Sequence, residues 1–379
     1  MFNKRTGVLT ILLINLVLIA SLILTASYFA DQRLPKTRAQ FLSPEDVTFY
    51  KKYSDQLNHL RSFDFLKQLY PSTPSTRLDY LFSKIGEGKV EVLLQGDSWA
   101  EQFMTSLPTF FTLQNFAENR DLSLFVGGTT SYAPSVLQAQ YRVLRQDFGI
   151  TPKVVVGVID QTDIGDELCR YKSQLAINQT GEHIVKPYSG PVLVPYHLEA
   201  YFRAIDTLDS SESALLKLLR YKVAKSIPAQ VGGCGHEILA PLERTLSPAD
   251  RDYFIERVAK YIDEVFKPFG ASPPPADLIL VTHFHKKHLS KEYQTNVAEL
   301  VAAAVEQSKY RAHITHLNFL PEHYKNENLD LIFVTTDEFS HLTETFHRKV
   351  YTRQILNTVE EALLRSGVKT GLVNRPPIQ

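Results

Sequence analysis

The chain has 379 residues, enough for one large domain or two ordinary ones. Its 41 basic and 41 acidic residues cancel and form no basic stripe, which excludes nucleic acid as an expected partner. Cys169 and Cys234 are the only cysteines, and no C-x-x-C or Cys/His spacing predicts a metal site. Outside the cytoplasm the two could form one disulfide; two separate buried thiols fit the sequence equally well.

In chain order, Gly7–Ala30 is nearly all apolar, and at 1.5 Å per residue it exceeds the ~30 Å hydrocarbon core of a bilayer. The small-x-small pairs available for signal cleavage, Thr25/Ser27 and Tyr28/Ala30, are poor, so an uncleaved anchor is expected. Lys4 and Arg5 precede the run and Arg33, Lys36 and Arg38 follow it, so charge alone does not orient it. A short tail before a single span usually stays in the cytoplasm. The expectation is a single-pass inner-membrane protein whose remaining chain faces the periplasm or another extracytoplasmic space. Residues 1–35 are then tail and anchor, 36–88 a helical stalk, and 89–379 the main domain. In the stalk, Ser43 caps a helix over Pro44–Leu69 that Pro71 and Pro74 end.

From Lys89 strands and helices alternate, the pattern of a parallel sheet covered on both faces. Strands are expected at Val90–Leu94, Leu122–Val126, Lys153–Ile159, Leu278–Val281 and Leu331–Val334. Helices are expected at Pro134–Phe148, Ser290–Ser308 and Thr343–Ser366, the last closed by Gly367. The fold class predicted is α/β, a flavodoxin-like three-layer sandwich with a five-stranded parallel sheet. Residues 166–275 are too long for a plain crossover and read as an inserted helical subdomain, with helices at Leu198–Ser226 and Ser247–Phe266. In such sheets ligands bind at the carboxyl ends of strands, where Ser98, Gly128, Asp160, His283 and His341 fall.

Two end blocks carry the chemistry. Val90–Ala100, V-E-V-L-L-Q-G-D-S-W-A, runs from an apolar strand through Gly96-Asp97 to a serine at a helix start, where unpaired N–H groups favour a developing oxyanion. Leu331–Thr343, L-I-F-V-T-T-D-E-F-S-H-L-T, places Asp337-Glu338 just ahead of His341. Together these blocks resemble the SGNH (GDSL-type) hydrolase family, over roughly Lys89 to Gly367. The resemblance implies Ser98 as nucleophile, His341 as base, and Glu338 or Asp337 as the acid. The family's Asp sits three residues before its His, where this chain has Glu338. The oxyanion donors implied are the N–H groups of Ser98 and Gly128, with Thr162 in the register of the family's block-three Asn. That Asn is absent, the largest departure from the pattern, and an ionised Asp160 beside an oxyanion would oppose it.

Asp97, Trp99, Asp160, Asp163, His283 and His285 are the expected substrate contacts. His283 and His285, two apart on a strand end, share one face, but no local carboxylate or cysteine completes a metal site. The competing enzyme reading is an α/β-hydrolase, since G-D-S-W-A resembles a G-x-S-x-G elbow. Against it, the serine follows the first strand and the acid abuts the histidine. The SGNH resemblance implies a serine esterase or O-acyltransferase for small acyl esters, acetyl above all, on carbohydrate. It needs no metal or organic cofactor, and polysaccharide-modification proteins are possible partners. The alternative is a fold retained without catalysis, as a glycan-binding or polysaccharide-assembly component.

Overall fold

The computed structural model describes residues 4–33, 52–53, 56, 81–87, 90–185, 213–216, 218–219, 241, 245–270, 273–289, 294–324, 326–337 and 339–368. The chain divides into two compact units, one of Met1–Phe49 with Gly190–Gln230, the other of Tyr50–Ser189 with Val231–Gln379. In the first unit, α1 (Lys4–Arg33) is a helix of 30 residues. Its described side chains include Leu16, Leu22 and Leu24, each about 70% exposed. Among the described residues no helix is long and apolar enough to cross a membrane. The side chains of α1 are described only over 14–30. The helices expected at Pro44–Leu69 and Leu198–Ser226 lie largely outside the described residues.

The second unit is built on a six-stranded sheet. Its strands are β1 (Ser83–Ile85), β2 (Val90–Gln95), β3 (Ser123–Val126), β4 (Val154–Asp160), β7 (Asp277–His283) and β8 (Ile314–Phe319). The order is β1-β3-β2-β4-β7-β8, and a separate hairpin pairs β5 (Leu175–Ile177) with β6 (His183–Val185). The five parallel strands therefore run second, first, third, fourth, fifth, the doubly wound flavodoxin-like order. Its topological switch point lies between β2 and β4, so their carboxyl ends open a crevice. The central strands are apolar on both faces, as a sheet buried on both sides requires, and β4 is buried throughout.

One face, with Val92, Leu94, Val156, Val158, Ile279 and Val281, packs under α2 (Ser98–Thr105), α3 (Leu107–Glu118) and the C-terminal helix. Over the other lie α4 (Pro134–Phe148), α5 (Pro248–Phe266) and α6 (Val297–Gln307), with α5 packed against both its neighbours. A buried ion pair joins α4 to α5, Arg145 Nη2 to Glu264 Oε1 at 2.5 Å. The last helix starts at Glu344–Phe346, passes through a π-helical turn at His347–Thr352 and continues as α7 (Arg353–Arg365).

Four expectations are corrected. The fifth parallel strand is Ile314–Phe319, not Leu331–Val334. As an edge strand with one neighbour it needs no continuous apolar run, and its I-T-H-L-N-F is half-buried. Within 331–334 the chain instead ends a short helix, Leu329–Ile332, and makes one antiparallel bridge from Phe333 to Leu342. Ile332 and Phe333 are buried while Leu331 is 63% exposed, so the apolar run anchors a loop. Second, Ser83–Ile85, assigned to the stalk, is a sixth strand, antiparallel to β3. Third, the helix capped by Ser247 covers the sheet and does not belong to an inserted subdomain. Fourth, the helix expected at Ser290–Ser308 begins only at Val297, with Asn296 as its N-cap.

Candidate active site

β2 stops at Gln95, whose side chain is buried between Gln140 of α4 and Tyr261 of α5. Gly96 then lets the turn pack closely on α2 and β4: a Cβ there would lie 2.7 Å from both Ala100 Cβ and Val158 Cβ and 3.0 Å from Val158 O. Asp97 caps α2 through Oδ1, which accepts from Trp99 N at 2.9 Å, so Ser98 becomes the first helical residue. Its hydroxyl stands at the switch-point end of the sheet, at the positive end of the helix.

His341 arrives from the last loop. That loop is closed by Val334 N donating to His341 O (2.9 Å) and Thr343 N to Ile332 O (2.8 Å). His341 Nε2 lies 2.7 Å from Ser98 Oγ, and its Nδ1 lies 2.5 Å from Asp337 Oδ2. The same carboxylate accepts the backbone N–H of His341 (2.6 Å) and of Phe339 (3.1 Å), an Asx-type turn that fixes the acid relative to the ring. Glu338, the other acid considered, lies outside the described residues. Burial alone would raise Asp337; the donated hydrogen bonds and the charge of His341 outweigh it and hold its pKa at about 2. Burial likewise opposes charge on His341, but Asp337, and behind it Asp160 and Glu101, raise its pKa above the ordinary histidine value. The arrangement can take a proton from Ser98 and hold the resulting imidazolium.

Two residues that the sequence reading passed over hold this loop. Gln102, one turn after Ser98, brackets Leu342, donating to its carbonyl at 3.0 Å and accepting from its N–H at 3.4 Å. Lys286 Nζ donates to the carbonyl of Asp337, and Lys286 N to Ser340 Oγ at 3.3 Å, where Ser340 sits at φ +63°. Gln102 could have been found from its i, i+4 spacing to Ser98. Lys286 carried no signal, because its partner is a backbone atom 51 residues away.

Of the oxyanion candidates, Gly128 lies against the first turn of α2, and a Cβ there would come within 2.4 Å of Ala100 C and Glu101 N. Thr162 is a correction. Its N–H and hydroxyl both donate to Asp160 Oδ1, at 2.5 and 2.7 Å, so neither is directed to an oxyanion. The short Asp160 side chain two residues upstream captures the donor locally.

The expected substrate contacts are corrected too. Asp97, Trp99, Asp160, Asp163, His283 and His285 are each at most 2% exposed. They form the floor beneath Ser98 instead of a wall facing substrate. Trp99 packs on His283 with ring centroids 4.7 Å apart. His283 Nδ1 lies 2.7 Å from Phe284 O, and burial lowers its pKa to about 3, so the ring is neutral at pH 7. His285 caps the turn that follows: its Nδ1 accepts from Lys287 N at 3.2 Å. Among the described residues, Asp97, Asp160 and Asp163 form the one group with metal-ligand spacing, their oxygens within 4.8 Å of one another. Burial raises all three carboxyls, and neighbouring carboxylates raise Asp97 and Asp163 further. The bond between Asp97 and Asp160 raises Asp97 further and lowers Asp160. Asp160 Oδ1 is further occupied by the Thr162 donors and Asp163 N. Cys169 is disulfide-bonded.

No protein-family model matches the chain, and no curated protein matches it. One similar solved structure is described as an "Alpha/Beta hydrolase fold protein of unknown function". It shares 15% identity and a TM-score of 0.29, with 75% of this chain and 90% of that chain covered. A likeness at that level bears no weight; the fold rests on the strand order and the site on its geometry.

Proposed function

We propose that the chain is a serine esterase or O-acyltransferase of SGNH type, acting on small acyl esters of carbohydrate. The observation that carries this reading is the unbroken Asp337–His341–Ser98 relay, with contacts of 2.5 and 2.7 Å. Ser98 Oγ attacks the ester carbonyl while His341 Nε2 takes its proton. The tetrahedral oxyanion is held by the N–H groups of Ser98 and Gly128. His341 then protonates the leaving alcohol, and water or a sugar hydroxyl releases the acyl group from Ser98. Asp337, not Glu338, is the acid, because its carboxylate already accepts three N–H groups on the loop that carries His341. The short acid-to-histidine loop and the serine after the first parallel strand favour the SGNH arrangement over an α/β-hydrolase. Carbohydrate as the acyl acceptor or donor is carried by the family resemblance alone.

The same reading includes an anchor. It rests on the sequence run Gly7–Ala30, whose twenty-four residues bear no charge. The disulfide at Cys169 suits an oxidising compartment, which supports the extracytoplasmic side for the catalytic unit.

The test is turnover of p-nitrophenyl acetate by the full chain in detergent, beside Ser98→Ala. Release of nitrophenol that vanishes in the variant, with an acetyl mass adduct on Ser98 in the wild type, is the expected result. Equal rates in the two proteins and no adduct on Ser98 would remove the serine from the chemistry and leave the non-catalytic alternative.

A further inference from the structure

A second groove, of about 540 Å³, lies between α3 and the C-terminal helix and has no part in the relay. Its volume is in the range of small-ligand sites. Arg348 and Lys349 of the π-helical turn and Arg353 at the start of α7 line it together. None of the three has an acidic partner among the described residues, and Arg348 Nε is buried without a hydrogen-bond partner. The acid in the groove, Glu360, is already occupied: Arg120 donates to its Oε1 from Nε (3.0 Å) and Nη2 (2.7 Å). The formal net charge of the chain is zero, so three uncompensated cations on one wall are a local concentration. A buried guanidinium N–H without an acceptor is unfavourable, and an anion supplies both the acceptor and the charge.

The remaining lining narrows the anion. The aromatic ring there, Phe116, has its face covered by the Arg120 guanidinium at 4.1 Å, which leaves no open platform for a nucleic-acid base. Asn115, Asn119 and Asn357 add amides, which both donate and accept as sugar hydroxyls require. We infer that this groove binds a carboxylate-bearing oligosaccharide: the arginines take the carboxylates and the amides take the hydroxyls. The choice of a sugar over other carboxylates rests on the carbohydrate-ester reading of the serine site. The catalytic unit then carries two glycan sites, and the polymer it works on is acidic.

The experiment is calorimetric titration of the full chain in detergent at low salt with tetragalacturonate, maltotetraose and inorganic phosphate. Wild type is compared with Arg348→Ala and with the exposed pair Lys349→Glu/Arg353→Glu. Tetragalacturonate should bind, at least tenfold more weakly in the variants and progressively less as salt is raised, while maltotetraose gives no binding heat. Nitrophenyl acetate turnover is measured on every sample and should be unchanged in the charge-reversal pair, which shows that the pair is folded. Absence of tetragalacturonate binding, equal binding by the variants, or phosphate binding as tightly as the oligosaccharide would each overturn the inference. Loss of the esterase reading would appear separately, as turnover that does not depend on Ser98.

Discussion

Replacing Asp337 by Asn separates the two acids that the loop offers and tests the relay at its most specific contact. The carboxylate lies 2.5 Å from His341 Nδ1 and 2.6 Å from its backbone N–H. Its pKa is lowered from the ordinary carboxylate value of 3.8 to about 2. That lowering is worth about 2.4 kcal/mol. The pair is partly open to solvent, 27% for the His341 side chain and 18% for Asp337, so about half of that is discounted for screening. What remains, about 1.2 kcal/mol of imidazolium stabilisation, is roughly tenfold in rate. Asn also lets the ring take the other tautomer, with Nδ1 bare and Nε2 protonated toward Ser98. In a serine triad that error costs about 10⁴ in kcat. Asp337→Asn should therefore lose between about tenfold and about 10⁴ in kcat with KM little changed. Glu338→Gln should stay within about twofold of wild type, since Asp337 already fills His341 Nδ1. Stopped-flow nitrophenyl ester kinetics on both variants decides it. Full activity in Asp337→Asn together with a collapse in Glu338→Gln would refute the assignment.

The pH dependence follows from the same pair. His341 acts as base only when neutral and its pKa is raised, so kcat/KM should climb with pH through a midpoint above 6.5, and that midpoint should fall in Asp337→Asn, where burial prevails. For stability, the raised His341 contributes fully below its unfolded value of 6.5 and its contribution is lost as pH rises through the folded pKa. The lowered Asp337 contributes above 3.8 and loses its contribution as pH falls through about 2. Unfolding midpoints of wild type and His341→Gln should thus differ most between these two windows; a difference independent of pH would contradict the ion pair. Gly128→Ala places a Cβ 2.4 Å from the backbone of α2, where ordinary contact begins near 3.4 Å. It should cost about 1–3 kcal/mol in urea denaturation and lower activity by displacing Ser98; an unchanged midpoint would show that the two backbones are not in contact. Lys286→Met removes the donor to the Asp337 carbonyl. It should lower kcat about fivefold, a loss near 1 kcal/mol, with KM and the unfolding midpoint nearly constant. A change in KM alone would place Lys286 on the substrate instead.

Much of the fold was legible because it is written in local patterns. The helices expected at Pro134–Phe148 and Ser247–Phe266 could be read from residue type and spacing, and the inner strands β2, β4 and β7 from continuous apolar runs. The edges were not legible. β1 is three residues long and β8 carries the polar alternation of a strand with one neighbour, while the apolar Leu331–Val334 imitated a strand. Ser98 and His341 stood out because each follows an apolar run at the start of a helix, and the structure brings them to 2.7 Å across 243 positions of chain. Which acid serves His341 was not readable, since Asp337 and Glu338 differ by one position and the turn hydrogen bonds decide between them.

The sequence by itself determined the parallel α/β architecture, the serine at the end of the first parallel strand and the histidine before the last helix. Each of these depends on residue type and short-range spacing, which set strand, turn and cap. Only the tertiary structure decided that Asp97, Trp99, Asp160, Asp163, His283 and His285 lie beneath the serine instead of facing substrate. It also decided that Thr162 turns to Asp160, and that Gln102 and Lys286 clamp the loop that carries His341. These depend on which side of a strand end faces the crevice and on contacts between distant segments. Short-range spacing carries no record of either, because the packing of helices on the sheet sets both.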